Sequence, residues 1–170
     1  LVIGGALASG GAVALSHGRI VTILSAGNDS GKSFTVVGTD INGAAQTESI
    51  TGANAGTATG AVFFLTIASI TAVGNPAGNV SAGVNASAAD VVFAGRSRLK
   101  GVFLTSTATA GTVDFLKNSP SGTSILGLSS VGDADATRDV VIPDEGVLFV
   151  DGIYIQYTVS TFLTMTVFHA

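Results

Sequence analysis

Apolar and polar residues alternate over short stretches along most of this chain, and turn-forming residues separate the stretches. Strict alternation is typical of half-buried strands, and no stretch shows the period of an amphipathic helix. We therefore expect strands at residues 18–24, 32–38, 46–52, 61–73, 96–106, 111–117, 123–129, 138–143, 146–152, 153–159 and 162–169. The long apolar run 61–73 reads as a buried strand bent in its middle. Regularly spaced strands with Gly, Asn, Asp and Pro between them are typical of sandwiches and barrels.

Two features predict how these strands are organised. The pair Asn42-Gly43 is a strong hairpin signal, and it joins the strand at 32–38 to the one at 46–52. The segment "ASAAD", residues 86–90, has no strand pattern and reads as a linker. The sequence therefore predicts an all-β protein of two small antiparallel β-sandwich or barrel-like domains, 1–88 and 89–170. Domains of this size are marginally stable alone, so packing against each other or against further copies is expected.

Composition narrows the class of protein. Hydrophobic residues make up 46% of the 170 residues, but charged residues only 11%, less than half of the usual share of about 25%. Part of the surface is therefore expected to be covered by other protein. The net charge of -4 argues against nucleic-acid binding, which needs a basic stripe. The longest apolar run, 61–73, is too short to cross a bilayer as a helix, so no membrane partner is expected.

The stretch "GNDSGKSFTV", residues 27–36, resembles a phosphate-binding loop. That motif has four residues between its first glycine and Gly-Lys-Ser/Thr, whereas only three separate Gly27 from Gly31. A helix must follow the lysine to bind phosphate, but the following residues alternate like a strand, and Asp29 would repel phosphate. We interpret the segment as the polar turn of a hairpin between two strands, and we expect no cofactor.

Six acidic residues gather late in the chain, at Asp133, Asp135, Asp139, Asp144, Glu145 and Asp151. A helical calcium loop that began at the first of them would need Gly at its sixth position and Glu at its twelfth. Arg138 and Asp144 occupy these positions. We interpret the segment as a solvated loop, with calcium binding as the alternative.

Arg96, Arg98 and Lys100 alternate, so on a regular strand all three project from one face. One interpretation is an exposed face paired with the aspartates. The other is a contact with an acidic partner, because arginine is enriched at interfaces. The two interpretations stay open from the sequence, and these residues are the candidate partner contacts.

Catalytic and metal-binding patterns are missing from the sequence. His17 and His169 are the only histidines, and neither lies in a nucleophile or metal motif. The chain has no cysteine, so it can form neither disulfides nor thiolate metal sites. We therefore predict that the protein is not an enzyme and that it has no catalytic or metal-binding residues.

Two segments carry a resemblance to a known class of protein. Residues 21–60, with "SITAVGNPAGNVSAG" at 69–83, resemble a segment of small virion proteins of tailed bacteriophages. "VVIPDEGVLFVDGIYIQYTVSTFLTMTVFHA", residues 140–170, resembles the closing strands of another phage structural module. The resemblance implies a capsid decoration or cement protein on the outer surface of the head, with the major capsid protein as its partner.

The resemblance raises expectations about assembly. Three-fold sites on a capsid would favour a homotrimer. The apolar segment Leu1 to Leu15 is expected to act as an arm on a neighbouring molecule. The alternative is a head or tail fibre component that attaches to the host surface. Glycan binding by such a component is less favoured, because Tyr154 and Tyr157 are the only tyrosines and tryptophan is absent.

Overall fold

In the computed structural model the described residues, 8–9 and 12–170, form strands joined by turns and loops. The strands are β1 (Ala8–Ser9), β2 (Ala12–Ser25), β3 (Ser33–Thr39), β4 (Ala45–Thr51), β5 (Thr57–Val73), β6 (Val80–Phe93), β7 (Ser97–Ser106), β8 (Gly111–Lys117), β9 (Ser124–Ser130), β10 (Thr137–Val141), β11 (Val147–Phe149), β12 (Ile153–Thr158) and β13 (Phe162–His169). The strands pair in an antiparallel manner. The prediction of an all-β fold is confirmed. Within this described part, no helix has the length and apolar character needed to span a membrane.

The chain divides into two compact units, Leu1–Asn85 and Ala86–Ala170. The prediction of a linker at 86–90 is wrong, because these residues lie inside strand β6. Ala88 and Ala89 are fully buried, and the segment pairs with β12. Small side chains look like linker in a sequence, but on a pleated strand they also allow close packing against larger neighbours. That the two halves are separate domains stays a prediction.

In the first unit the strand order is β4-β3-β5-β2, with the start of β6 beside β2. Strand β5 must be bent. Leu24 at the end of β2 faces Thr57, and Ser33 at the start of β3 faces Val73. A straight strand from Thr57 to Val73 would span roughly 50 Å, whereas the chain from Leu24 to Ser33 reaches only about 30 Å. The bend folds the sheet over a single core.

That core draws on both halves of β5 and on the three neighbouring strands. It consists of Val21, Ile23, Phe34, Val36, Ile50, Phe64, Ile67 and Ile70. Two register shifts lie between β2 and β5, and a third lies between β3 and β5. Bulges increase the local bend and twist of a strand, which accounts for the curvature of β5. The bend predicted for the run 61–73 is therefore confirmed.

The interpretation of residues 27–31 as a hairpin turn is wrong in one respect. Strands β2 and β3 do not pair with each other, because β5 lies between them. The segment is a connection across β5 and not a hairpin. The hairpin predicted at Asn42-Gly43 is confirmed, since β3 pairs with β4. Gly43 there has φ of 82°, and Asp40 Oδ1 accepts the backbone N–H groups of Asn42 and Ala44 at 2.9 and 2.8 Å.

The arm predicted at Leu1 to Leu15 is contradicted at its end. Residues from Ala12 onward belong to β2, and Val13 and Leu15 pack against the core of the first unit. The apolar side chains at alternate positions therefore pack within their own chain and not on a neighbouring molecule. Most of the remaining segment lies outside the described residues.

The second unit has two sheets. One has the order β6-β12-β8-β9. In the other, which we call the β7 sheet, β10 and β11 pair with one side of β7 and β13 pairs with its other side. The two sheets bury a shared core of Leu99, Val102, Leu104, Val113, Phe115, Phe149, Ile153 and Ile155. Each sheet therefore turns one face to this core, as in a sandwich.

Candidate functional site

The three basic residues singled out in the sequence do not form one row. Arg96 is exposed and lies in the bend before β7, whereas Arg98 and Lys100 are half-buried on the strand itself. Ser97 and Leu99 between them are buried, so the alternation holds from residue 97 onward. The prediction that all three share a strand face is therefore wrong for Arg96, because the strand begins one residue later.

The two strand residues are held by the turn that connects β10 to β11. Arg98 Nη2 lies 3.0 Å from Glu145 Oε2, and Lys100 Nζ donates to the Asp144 backbone carbonyl at 3.4 Å. Glu145 is largely exposed, so this pair adds at most about 1 kcal/mol to stability. Among the described residues, Arg96 forms no ion pair. Its role as a partner contact stays a prediction.

A bulge in β7 changes which side chains face outward. From Ser97 to Lys100 the odd-numbered residues are buried, but beyond Gly101 the buried residues are Val102 and Leu104. The pairing with β13 shifts at the same place, since Phe168 faces Gly101 and His169 faces Leu99. Lys100 is thus the extra residue of the bulge, a device that re-aims the following side chains.

As a result the outer face of the β7 sheet is apolar at its centre. Phe103 points outward between Asp139 on β10 and Thr166 on β13. The next rung places Gly101 between Val141 and Phe168. The relative exposures are 76% for Val141, 52% for Phe168 and 38% for Phe103. We call these three side chains the apolar face.

Gly101 leaves room in the middle of this rung for the ring of Phe168. A Cβ at this position would lie 2.9 Å from the Val140 carbonyl oxygen and 3.6 Å from Phe168 Cδ2. The ring of Phe168 therefore occupies the space that a larger residue would fill.

Five of the six acidic residues lie in loops and turns of the second unit. Asp133 and Asp135 are in the loop before β10, where Ser106 Oγ donates to the Asp133 carbonyl and the Asp135 N–H donates to the Ser106 carbonyl. Asp139 is on β10, opposite Phe103. Within the described part of the chain, no three His, Asp or Glu side chains are grouped so that they could hold a metal ion.

The segment 27–31 has no resemblance to a phosphate site in three dimensions. A strand, β3, follows Lys32, so no helix N-terminus is available there. The Asp29 side chain is fully buried, and its Oδ1 accepts the Ala77 N–H at 2.7 Å. This carboxylate fastens the turn at 74–79 to the connection between β2 and β3, which is a structural role.

His169 and the two tyrosines take part in local packing. His169 lies near Phe93, with ring centroids 5.1 Å apart, and its Nδ1 is 3.3 Å from the hydroxyl of Ser97. That hydroxyl also donates to the Ala170 carbonyl at 3.1 Å, so its proton is already engaged. Tyr154 is buried, and Tyr157 donates to Asp90 Oδ2 at 2.8 Å. Tyr154 is thus buried and Tyr157 half-buried, so neither presents a fully exposed ring.

Sequence reasoning missed the apolar face for a specific reason. On a regular strand, Phe103 would lie on the same side as Leu99 and would be assigned to the core. Only the bulge at Lys100 and Gly101 turns it outward. The glycine directly after two alternating basic residues was the one available signal, because an isolated glycine inside a strand often marks a bulge.

Comparisons with known proteins found no match, whether with family models, curated proteins or solved structures.

Proposed function

We propose that this protein is a decoration or cement protein of a tailed bacteriophage, which binds the outer surface of the major capsid protein lattice and stabilises the head. The observation that carries the proposal is the apolar face of the β7 sheet. Val141, Phe103 and Phe168 are all exposed there on one side of one small sheet. Exposed apolar side chains grouped in this way mark interaction sites.

The surroundings of the apolar face fit an interface. Protein interfaces have an apolar core and a polar rim, and aromatic residues and arginine are enriched in them. Asp139, Thr166 and the Arg98–Glu145 pair lie on the same sheet as the two phenylalanines. In the proposal, Val141 and the phenylalanines form the centre of the contact. Arg96, Arg98 and Lys100 lie at its border, where they make polar contacts with the shell.

The low charge of the chain also supports a role that depends on contact area. Only 11% of the residues are charged, and a chain with such a surface is expected to be covered by other protein. A cement protein stabilises a shell by bridging its subunits, which requires buried area and no chemical step. The trimer predicted above would place three such faces around one capsid axis.

The copy number of the chain in purified particles tests the proposal. A decoration protein should be present at a ratio near one copy per major capsid protein, as measured by quantitative mass spectrometry of whole virions. A handful of copies per particle would favour the alternative, a fibre component that attaches to the host. Absence of the chain from the particles would contradict both functions.

A further inference from the structure

Strand β13 is a long edge strand without the usual protection. One side of it pairs with β7, and its other side has no backbone partner among the residues that the structure describes. Its residues Phe162 to Phe168 include no Lys, Arg, Asp, Glu or Pro. Natural edge strands usually carry charges, prolines or a cover because an open edge templates pairing with another strand.

The other edges of the described part are closed or weaker. The edge of β4 is occupied by side-chain bonds to β5, from Gln46 to the Phe63 carbonyl and from the Ala61 N–H to Glu48. β11 has only three residues, and β10 carries two charges. β9 is also uncharged and carries Ile125, Leu126 and Leu128, but Gly127 in its interior weakens it as a strand. Among these edges, β13 is therefore the one best suited to pair with a strand of another molecule.

We propose that β13 pairs with β13 of a second copy of this chain, antiparallel and about a two-fold axis through Thr166. Directly opposed residues in an antiparallel pair share a face of the sheet. In β13 the outward residues are Thr164, Thr166 and Phe168, and the inward ones are Met165 and Val167. A strand that pairs with itself keeps both faces matched only when the axis passes through a residue.

Thr166 is the residue that satisfies this condition best. The pairing of β13 with β7 is regular from Thr164 to Phe168, and irregularities flank this stretch on both sides. An axis through Thr166 uses the whole regular stretch and nothing beyond it. It sets Phe168 opposite Thr164 of the second copy, and Met165 opposite Val167.

The second copy is the occupant that the composition of the strand favours. A charge at or next to a two-fold axis lies close to its own copy, and β13 has no charge in this stretch. The half-exposed ring of Phe168 gains a cross-strand neighbour. The contact joins copies of this chain to one another, so it does not depend on the proposed capsid partner. If the chain forms trimers, the contact between β13 strands links one trimer to the next.

A charge at the axis tests the contact. In Thr166→Lys, two ammonium groups would lie opposite each other, and the same holds for two carboxylates in Thr166→Glu. We expect either substitution to halve the molar mass of the purified full chain, measured by light scattering after size exclusion. The unmodified chain should have an even multiple of 16.7 kDa. Thr137→Lys on the opposite edge of the β7 sheet is the matched control and should leave the mass unchanged.

Mixing the two variants tests the register. With a two-fold axis through residue 166, Lys and Glu oppose each other in the mixture, and the mass of the unmodified chain should return. Masses that are equal in the unmodified chain and in Thr166→Lys would overturn the proposal. So would a mixture that stays at the halved mass, which is the result expected if β13 pairs with β9 of another copy.

A cysteine reporter covers the case in which the charged variants do not fold. The chain has no cysteine of its own, so Thr166→Cys carries a single thiol. We expect a short bis-maleimide, which adds one cysteine thiol at each end, to convert this variant into a covalent dimer, whereas Thr137→Cys should stay monomeric on a denaturing gel. Equal yields of dimer from the two variants would overturn the proposal.

Discussion

The ring of Phe168 lies over Gly101 of the neighbouring strand, with Cδ2 3.6 Å from the position that a Cβ on that glycine would take. The glycine is the first residue after the β7 bulge and the centre of the rung that holds Val141 and Phe168. Because Gly101 has no side chain, the Val140 carbonyl of β10 can approach β7 closely, and the ring of Phe168 can lie against the outer face of the sheet. The same Cβ would lie only 2.9 Å from the Val140 carbonyl oxygen.

Gly101→Ala is therefore expected to destabilise the protein. The backbone oxygen of Val140 cannot give way without disturbing the pairing of β10 with β7, and strain of this kind costs about 1–3 kcal/mol. Chemical denaturation measures the change in the free energy of unfolding. Gly31→Ala is the matched control, because a Cβ there meets nothing within 4 Å. Equal stability of the two variants would contradict this role of the glycine.

The side-chain bonds between β4 and β5 give a second prediction. Gln46 Nε2 donates to the Phe63 carbonyl at 2.9 Å, and Glu48 Oε1 accepts the Ala61 N–H at 2.5 Å. Gln46→Ala should lower the free energy of unfolding by about 1 kcal/mol, and Glu48→Ala by about 2 kcal/mol because its bond involves a charged acceptor. Thr47→Ala, at the exposed position between them, should have little effect. A loss in Thr47→Ala as large as in Glu48→Ala would contradict the bridging role.

Much of the strand pattern could be predicted from the sequence, because strands with one buried face alternate visibly. Strand β6 was missed since its middle is built from Ala and Ser, whose burial depends on partners far away in the chain. The pairing of β5 with both β2 and β3 could not be foreseen either. Local pattern shows which residues form strands, but it does not show which strands are neighbours.

The candidate site, like the fold, could be predicted only in part from the local sequence pattern. Arg98 and Lys100 lie on one strand face as the alternation predicts, but Glu145, which pairs with Arg98, comes from a turn 47 residues later. Phe103 faces outward only because a single extra residue shifts the alternation. A bulge is fixed by pairing with the neighbouring strands, and this pairing lies outside the reach of local pattern.

Asp29 provides a third prediction. Its Oδ1 accepts the Ala77 N–H, and its buried Oδ2 has no partner among the described residues. Asp29→Asn keeps one acceptor oxygen and removes a buried carboxylate, so its free energy of unfolding should equal or exceed that of the unmodified chain. Asp29→Ala removes the acceptor and should lose about 1–3 kcal/mol. Equal losses in both variants, measured by denaturation, would contradict the assignment of the hydrogen bond.

Binding to capsid shells tests the central claim most directly. Purified chain would be mixed with shells assembled from the major capsid protein encoded in the same genome, and the bound fraction measured by co-sedimentation. We expect near-stoichiometric binding, a loss of at least tenfold in affinity for Val141→Ser combined with Phe103→Ser, and no change for Val131→Ser, a valine in a loop that is more exposed than Val141. If the unmodified chain stays in the supernatant, or if all three proteins bind alike, the apolar face is not a capsid contact.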